Sequence, residues 1–203
     1  TYKNLEIIIS DNATPGVDVE MLVKRYMKSD NRISFKKQIY NYGLEKNFQY
    51  LINEANGKYL LIAADDDIRS LDFVEKNVNF LENNSDYVAS TSPVRFQDGG
   101  FDRFAMGDNS IDDQNEEDRI IHFLDRFHAN GRFFSLIRSK EFKITFVPDK
   151  FLGCDWVWVL RLLRFGKFKR ISEGEVILSV NGISHNDIFS GYRKGIISWI
   201  IPF

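Results

Sequence analysis

The chain has 203 residues, 43% hydrophobic and 14% aromatic, enough to bury about 70% of the surface its unfolded form exposes. A net charge of -2 and a pI near 5.9 argue against a nucleic-acid partner, since counterion-release binding needs a basic face. Cys154 is the only cysteine, so an intrachain disulfide is excluded and nothing points to an oxidising compartment. With no signal peptide and no run of about 20 apolar residues, a soluble, cytoplasmic setting is expected. The chain opens on Thr1 and closes on Ile196-Ile197-Ser198-Trp199-Ile200-Ile201-Pro202-Phe203, so a fragment of something longer is expected. The apolar end is read as core first and as a peripheral membrane contact second.

Leu5 to Ile9 predicts a strand that runs into the loop Ser10-Asp11-Asn12-Ala13-Thr14-Pro15-Gly16. Val19, Leu22, Val23 and Tyr26 stand at helical spacing, Arg32 to Gln38 predicts a strand, and Phe48, Leu51, Ile52 and Ala55 repeat the helical period before Asn56-Gly57 stops it. The apolar run Tyr59-Leu60-Leu61-Ile62-Ala63-Ala64 predicts one buried strand and ends abruptly in Asp65-Asp66-Asp67. Val74, Val78 and Leu81 mark the next helix, with Ser70 or Asp67 as its cap, and Tyr87 to Ser92 the next strand. Residues 97 to 118 are polar and read as a long excursion. Ile120, Phe123, Leu124 and Phe127 predict a helix, Phe133 to Ile137 a strand, Trp156, Val159, Leu160 and Leu163 a helix, and Val176 to Val180 a last strand. Alternating strands and helices imply an α/β fold, a mostly parallel sheet covered on both faces, with ligands beyond the carboxyl ends of the strands. A single domain over 1–203 is expected, in two halves, 1–92 and 93–203.

Three adjacent carboxylates repel one another, so the cluster at Asp65, Asp66 and Asp67 points to a hard cation such as Mg²⁺ or Mn²⁺, which takes oxygen ligands and can stabilise a departing diphosphate. The plainer reading is a solvated strand end that caps a helix. Asp11 follows three isoleucines; it fits an Asx-turn, or a carboxylate accepting hydrogen bonds from a base or ribose. Asp155 sits where an N-cap belongs, and a carboxylate there could equally serve as a general base for an acceptor hydroxyl. His185 follows the last strand in a loop; His122 and His128 lie on or near a predicted helix and are assigned no role. Among Lys36, Lys37, Arg132 and Arg138, all ordinarily surface residues, Arg138 is the best candidate for a phosphate contact because it ends an apolar run.

Taken in order, Leu5 to Ala13, Asn41-Tyr42-Gly43 with Asn47, Ala63-Ala64-Asp65-Asp66-Asp67, and Gly153-Cys154-Asp155 with a leucine-rich helix and Gly166-Lys167-Phe168 resemble the family-2 glycosyltransferases, inverting enzymes of the GT-A fold. The resemblance spans nearly the whole chain. It implies that Asp11 contacts the base, Asp65 the ribose or the metal's outer shell, Asp66 and Asp67 the metal and donor diphosphate, and Asp155 the acceptor hydroxyl as base. It places His185 near the metal and phosphates, and implies a nucleotide-sugar-binding half over 1–92 and an acceptor-side half over 93–203; Arg138 is expected at the nucleotide sugar from its place at the end of the apolar run. The implied partners are a nucleotide-sugar donor, UDP-linked, and a saccharide or lipid-linked acceptor, with a role in surface polysaccharide or lipopolysaccharide synthesis. Two departures stand out: the family's first strand with its Pro-x-Tyr-Asn is absent, and Ala64 replaces the first Asp of the usual motif. A nucleotidyltransferase is the rival enzyme class, and a cation-binding module without catalysis the rival outside enzymes.

Overall fold

The computed structural model describes residues 1–99, 106–125, 129–149 and 153–180. Its first half alternates strand and helix: β1 (Ile7–Asp11), α1 (Val19–Met27), β2 (Ile33–Lys37), α2 (Leu44–Glu54), β3 (Tyr59–Leu60), β4 (Ile68–Arg69), α3 (Phe73–Asn83) and β5 (Tyr87–Thr91). After it come β6 (Val94–Phe96), α4 (Glu116–Leu124), a 3-10 turn (Gly131–Phe134), β7 (Leu136–Arg138), α5 (Ser139–Thr145), α6 (Cys154–Leu162), β8 (Lys167–Arg170) and β9 (Val176–Leu178). α1 starts where Asp18 accepts a hydrogen bond from the Met21 amide at 2.9 Å, a side-chain cap satisfying one of the four free donors at a helix start.

The strands form three sheets among the described residues. β1 and β2 pair in parallel, with Ile7 opposite Ile33 and Asp11 opposite Lys37. A four-stranded sheet runs β3-β7-β5-β8, and a three-stranded one β4-β9-β6. β7 is antiparallel to both β3 and β5, while β8 is parallel to β5. The expectation of a mostly parallel sheet is therefore corrected to mixed pairing. The cause is strands from the second half of the chain: β7 wedges antiparallel between β3 and β5, which run the same way, and β9 runs antiparallel to β4.

The main core lies behind this four-stranded sheet. Trp158 is at its centre, its ring 4.6 Å from that of Phe146, 5.5 Å from Phe133 and 6.3 Å from Phe48. Its indole nitrogen donates to the Val147 carbonyl at 2.9 Å, so the polar edge of the ring is satisfied inside the core. Ile52, Val88, Phe123, Phe142, Leu162, Leu163 and Phe168 complete it. Phe73, Val94, Met106, Val176 and Leu178 form a second cluster under β4-β9-β6.

Several expectations shift. The predicted apolar face of α1 buries only Val23, leaving Leu22 and Tyr26 exposed. The strand before the acids pairs only at Tyr59 and Leu60. Phe133 and Phe134 belong to the 3-10 turn, and the following strand begins at Leu136. Residues 97 to 118 are more than an excursion: Met106 and Ile111 are buried, and Ile111 exchanges backbone hydrogen bonds with Phe168 at 2.8 and 3.1 Å. Two apolar residues scattered in a polar run have no periodicity, which is why the pattern hid them. Among the described residues no helix is long and apolar enough to cross a membrane; the apolar segment 196–203 lies outside them.

Candidate active site

Glu6, just before β1, accepts hydrogen bonds from the amides of Asn56 and Gly57, the latter at 2.7 Å. β1 and β3 therefore start side by side. Asp11 ends β1, and Asp65 to Asp67 follow β3.

Asp11 is buried, and one of its carboxylate oxygens accepts from the Thr14 amide at 2.9 Å. That closes the turn, as the local reading of Asp in a loop expects. Asn12 fastens this turn to the loop before α2: its amide donates to Asn41 Oδ1 at 3.1 Å and to the Gly43 carbonyl at 3.2 Å, and its Oδ1 accepts from the Tyr42 amide at 3.1 Å. Ser10 adds a bond to Asn47 Oδ1 at 2.7 Å. Gly43, at φ 88°, is the N-cap of α2; only glycine adopts that backbone without strain.

Asp65 and Asp66 are exposed in the turn after β3, and Asp67 is half-buried. Asp67 Oδ1 accepts from the Ser179 amide at 3.3 Å, and its Oδ2 is buried with no hydrogen-bond partner. Burial pushes the Asp67 carboxyl above the usual carboxylate range, opposed by the Ser179 bond and the Arg69 charge, with Asp66 and Asp65 pushing it further up. Arg69 closes the acidic loop, its Nη2 donating back to the Ile62 carbonyl at 3.2 Å while its guanidinium lies 5.8 Å from the Phe73 ring centre.

Among the described residues no three His, Cys, Asp or Glu side chains converge as a cage for a metal. A Mg²⁺- or Mn²⁺-type ion needs less, because it is commonly held by one or two carboxylates with substrate phosphates and water completing the shell. The unpartnered Oδ2 of Asp67 beside the exposed Asp66 suits that sparser donor set. His185 and His128 lie outside the described residues; His122 is paired with Asp113 at 2.8 Å.

Asp155 is in the first turn of α6 and half-exposed. It is not the cap; Gly153 occupies that position in a left-handed conformation, φ 81°. Asp155 Oδ2 instead accepts from the side-chain amide of Asn130 at 3.1 Å. The neighbouring Cys154 thiol is pushed up to about 11, first by burial and then by the charges of Asp155 and Glu45. Glu45, buried in the first turn of α2, thus lies electrostatically close to the start of α6, and it is also in reach of Gly43, whose added Cβ would meet Glu45 Oε2 at 3.7 Å. A packed connection leads from the Asp11-Asn12 turn through Gly43 to α2, whose Phe48 ring lies 6.3 Å from that of Trp158 on α6, the helix that carries Cys154 and Asp155. Neither Glu45 nor Asn130 carried a sequence signal: one resembles any acid at a helix start, the other any loop amide.

Arg138 does different work from the phosphate contact expected of it. Its Nε donates to the Tyr87 carbonyl at 2.8 Å, and its Nη2 to those of Leu81 and Asn84 at 2.7 and 3.2 Å. Its register partner is Tyr59, at the start of β3 and away from the acidic end. The guanidinium ties off the last carbonyls of α3, the place where a helix accumulates partial negative charge. Arg132 is likewise buried, with Nε on the Asn109 carbonyl at 2.9 Å. Lys36 and Lys37 pair with Glu54 and Glu20 at 3.4 and 3.7 Å.

Comparison with known proteins bears on the family and the fold. The sequence profile described as Glycosyl transferase family 2 matches residues 1–153. An uncharacterized glycosyltransferase of Methanocaldococcus jannaschii is 36% identical over 92 residues, 45% of this chain and 31% of that protein. One of Haemophilus influenzae is 32% identical over 92 residues, 45% of this chain and 28% of its own length. The crystal structure of S. aureus TarS 1-349 superposes with a TM-score of 0.67 at 13% identity, covering 86% of this chain and 51% of that one. A second TarS structure gives 0.64 at 14%, covering 86% and 31%. The chain thus matches under a third of the curated relatives and about half or less of the solved structures. The fold is α/β and GT-A-like, and on the match over residues 1–153 the chain belongs to glycosyl transferase family 2.

Proposed function

We propose that this chain carries the donor site and catalytic base of an inverting glycosyltransferase that moves a sugar from a nucleotide diphosphate, UDP-linked, to an acceptor hydroxyl. The observation that carries the reading is the placement of Asp155: a half-exposed carboxylate held by Asn130 and carried on α6, whose Trp158 packs against Phe48 of α2, the helix capped by the loop that Asn12 fastens. Asp11 and the loop around Asn12 receive the nucleoside, and Asp65 to Asp67 face the diphosphate end.

The reaction is one displacement. The acceptor oxygen gives its proton to Asp155 and forms a bond to the anomeric carbon. The carbon–oxygen bond to the diphosphate breaks on the opposite side, and the diphosphate leaves with the electron pair. Configuration inverts, with no nucleophile from the protein. Asp66 and Asp67 would hold a Mg²⁺ or Mn²⁺ ion, which would supply charge neutralisation at the leaving diphosphate. A saccharide or lipid-linked acceptor in surface-polysaccharide assembly is the biological setting that the family membership supports.

Transfer from a panel of UDP-, GDP- and dTDP-sugars, followed as released nucleoside diphosphate, tests the reading. Asp155→Asn should cut turnover by roughly 10²–10⁴-fold with the fold intact. Unchanged turnover removes Asp155 from the role. Calorimetry with UDP and Mn²⁺ adds a second check: cation binding with no nucleotide binding would favour a structural cation site instead.

A further inference from the structure

We infer that Asn130 is the positioning residue for Asp155, holding the carboxylate in one orientation so that its second oxygen is directed at the acceptor. The inference rests on the assignment of Asp155 as base. Asn130 is the N-cap of the 3-10 turn, yet its side chain makes no capping bond there. Asparagine at an N-cap normally turns its side chain onto its own helix. Here the amide donates across to α6, 3.1 Å from Asp155 Oδ2, while Asn130 itself is 9% exposed.

The other end of the same amide, Oδ1, is buried without a hydrogen-bond partner. Most buried side-chain polar atoms are partnered, so an asparagine kept only for packing would have both ends satisfied. The backbone beneath it is fixed as well. The Gly131 amide donates to the Met106 carbonyl at 2.7 Å, and a Cβ on Gly131 would stand 2.7 Å from that same oxygen. Position 131 admits no side chain, and the Phe133 amide returns to the Asn130 carbonyl at 3.0 Å. The donor is therefore held by the packing around Met106, while the acceptor is a half-exposed carboxylate. An amide that fixes one carboxylate oxygen leaves the other free to take a proton, and misplacing a reacting group by about 1 Å can cost roughly 10²-fold.

Asn130→Leu and Asn130→Ser are compared with Asp155→Asn and with each double variant, reading nucleoside-diphosphate release from UDP-glucose, UDP-galactose and UDP-N-acetylglucosamine, with melting temperature as the fold check. The expected result is a kcat lowered roughly 10- to 100-fold with donor KM unchanged. In the Asp155→Asn background the Asn130 change should have no further effect. Asn130→Ser, whose hydroxyl is too short to span to Asp155, keeps the test readable should the leucine variant not fold. Losses that add to those of Asp155→Asn, a rise in donor KM, or full turnover without the amide would overturn the inference while leaving the proposed function standing. Absence of release by the unaltered protein would overturn that function, and this inference with it.

Discussion

The layer of β1, α1 and β2 and the block around Trp158 are built by opposite means. In the first, Ile7, Ile8 and Ile9 are only half-buried, α1 buries Val23 alone, and Met21, Leu22 and Tyr26 face outward. Order there comes from polar bonds: Asn12 to Asn41, Tyr42 and Gly43, and Ser10 to Asn47. In the second, rings and aliphatic side chains are buried on all sides and Asp155 projects from their rim. The lesson is a division of duties. The carboxylate proposed as base stands on a packed support, and the loop proposed for the nucleoside is held by hydrogen bonds.

The largest effect that would break this comparison is in the core. Trp158→Ala should lower unfolding free energy by roughly 3–5 kcal/mol, whereas Val23→Ala in the outer layer should cost only about 1 kcal/mol. Urea titration checks both, and equal losses would mean the two regions are packed alike. Next, Arg138→Met removes charged donors from three backbone carbonyls. It should cost about 2 kcal/mol and leave UDP binding unchanged by calorimetry. A selective loss of UDP affinity instead would return Arg138 to the nucleotide site.

Asn12→Ala should show the reverse pattern, about 1 kcal/mol in stability but a clear weakening of UDP binding as the loop loses its ties. The smallest effect is on the acid side. Arg32 donates to both oxygens of Asp30 at 2.9 and 2.7 Å and holds its pKa down from 3.8 to about 2. The unfolded chain takes up the proton first as pH falls, so this pair's contribution is complete above pH 3.8 and drains away as the pH drops through about 2. Asp30→Asn should remove that slope from acid unfolding curves, and a slope left in place would assign the acid transition elsewhere.

Most elements were legible in the residues. The periods of Phe48, Leu51 and Ile52 and of Val74, Val78 and Leu81 became α2 and α3, because helical spacing and a buried face coincide there. α1 shows the limit: the same spacing exists, but no neighbouring element covers most of it. β4 and β8 were not predicted as strands, since two residues, or a run of Lys-Phe-Lys-Arg, carry no pattern of their own and pair because their partners are already in place. Of the candidate site's carboxylates, Asp11 and Asp65 to Asp67 showed by their position at or after strand ends. What orients them did not, because Asn130, Glu45 and the orphaned oxygen of Asp67 acquire meaning only from contacts far along the chain. Arg138 misled for the same reason: a cation at the end of an apolar run reads alike whether it meets a phosphate or a helix end.

The place of β7 has a consequence for biogenesis. Residues 59–60 and 87–91 run side by side only through residues 136–138, with 167–170 outside them. During synthesis the early strands therefore wait, edges unsatisfied, until a distant stretch emerges and threads between them. Long-range closure of this kind is slow and leaves sticky intermediates, so yield in a cell-free translation should depend strongly on a chaperone binding the nascent chain before residue 138.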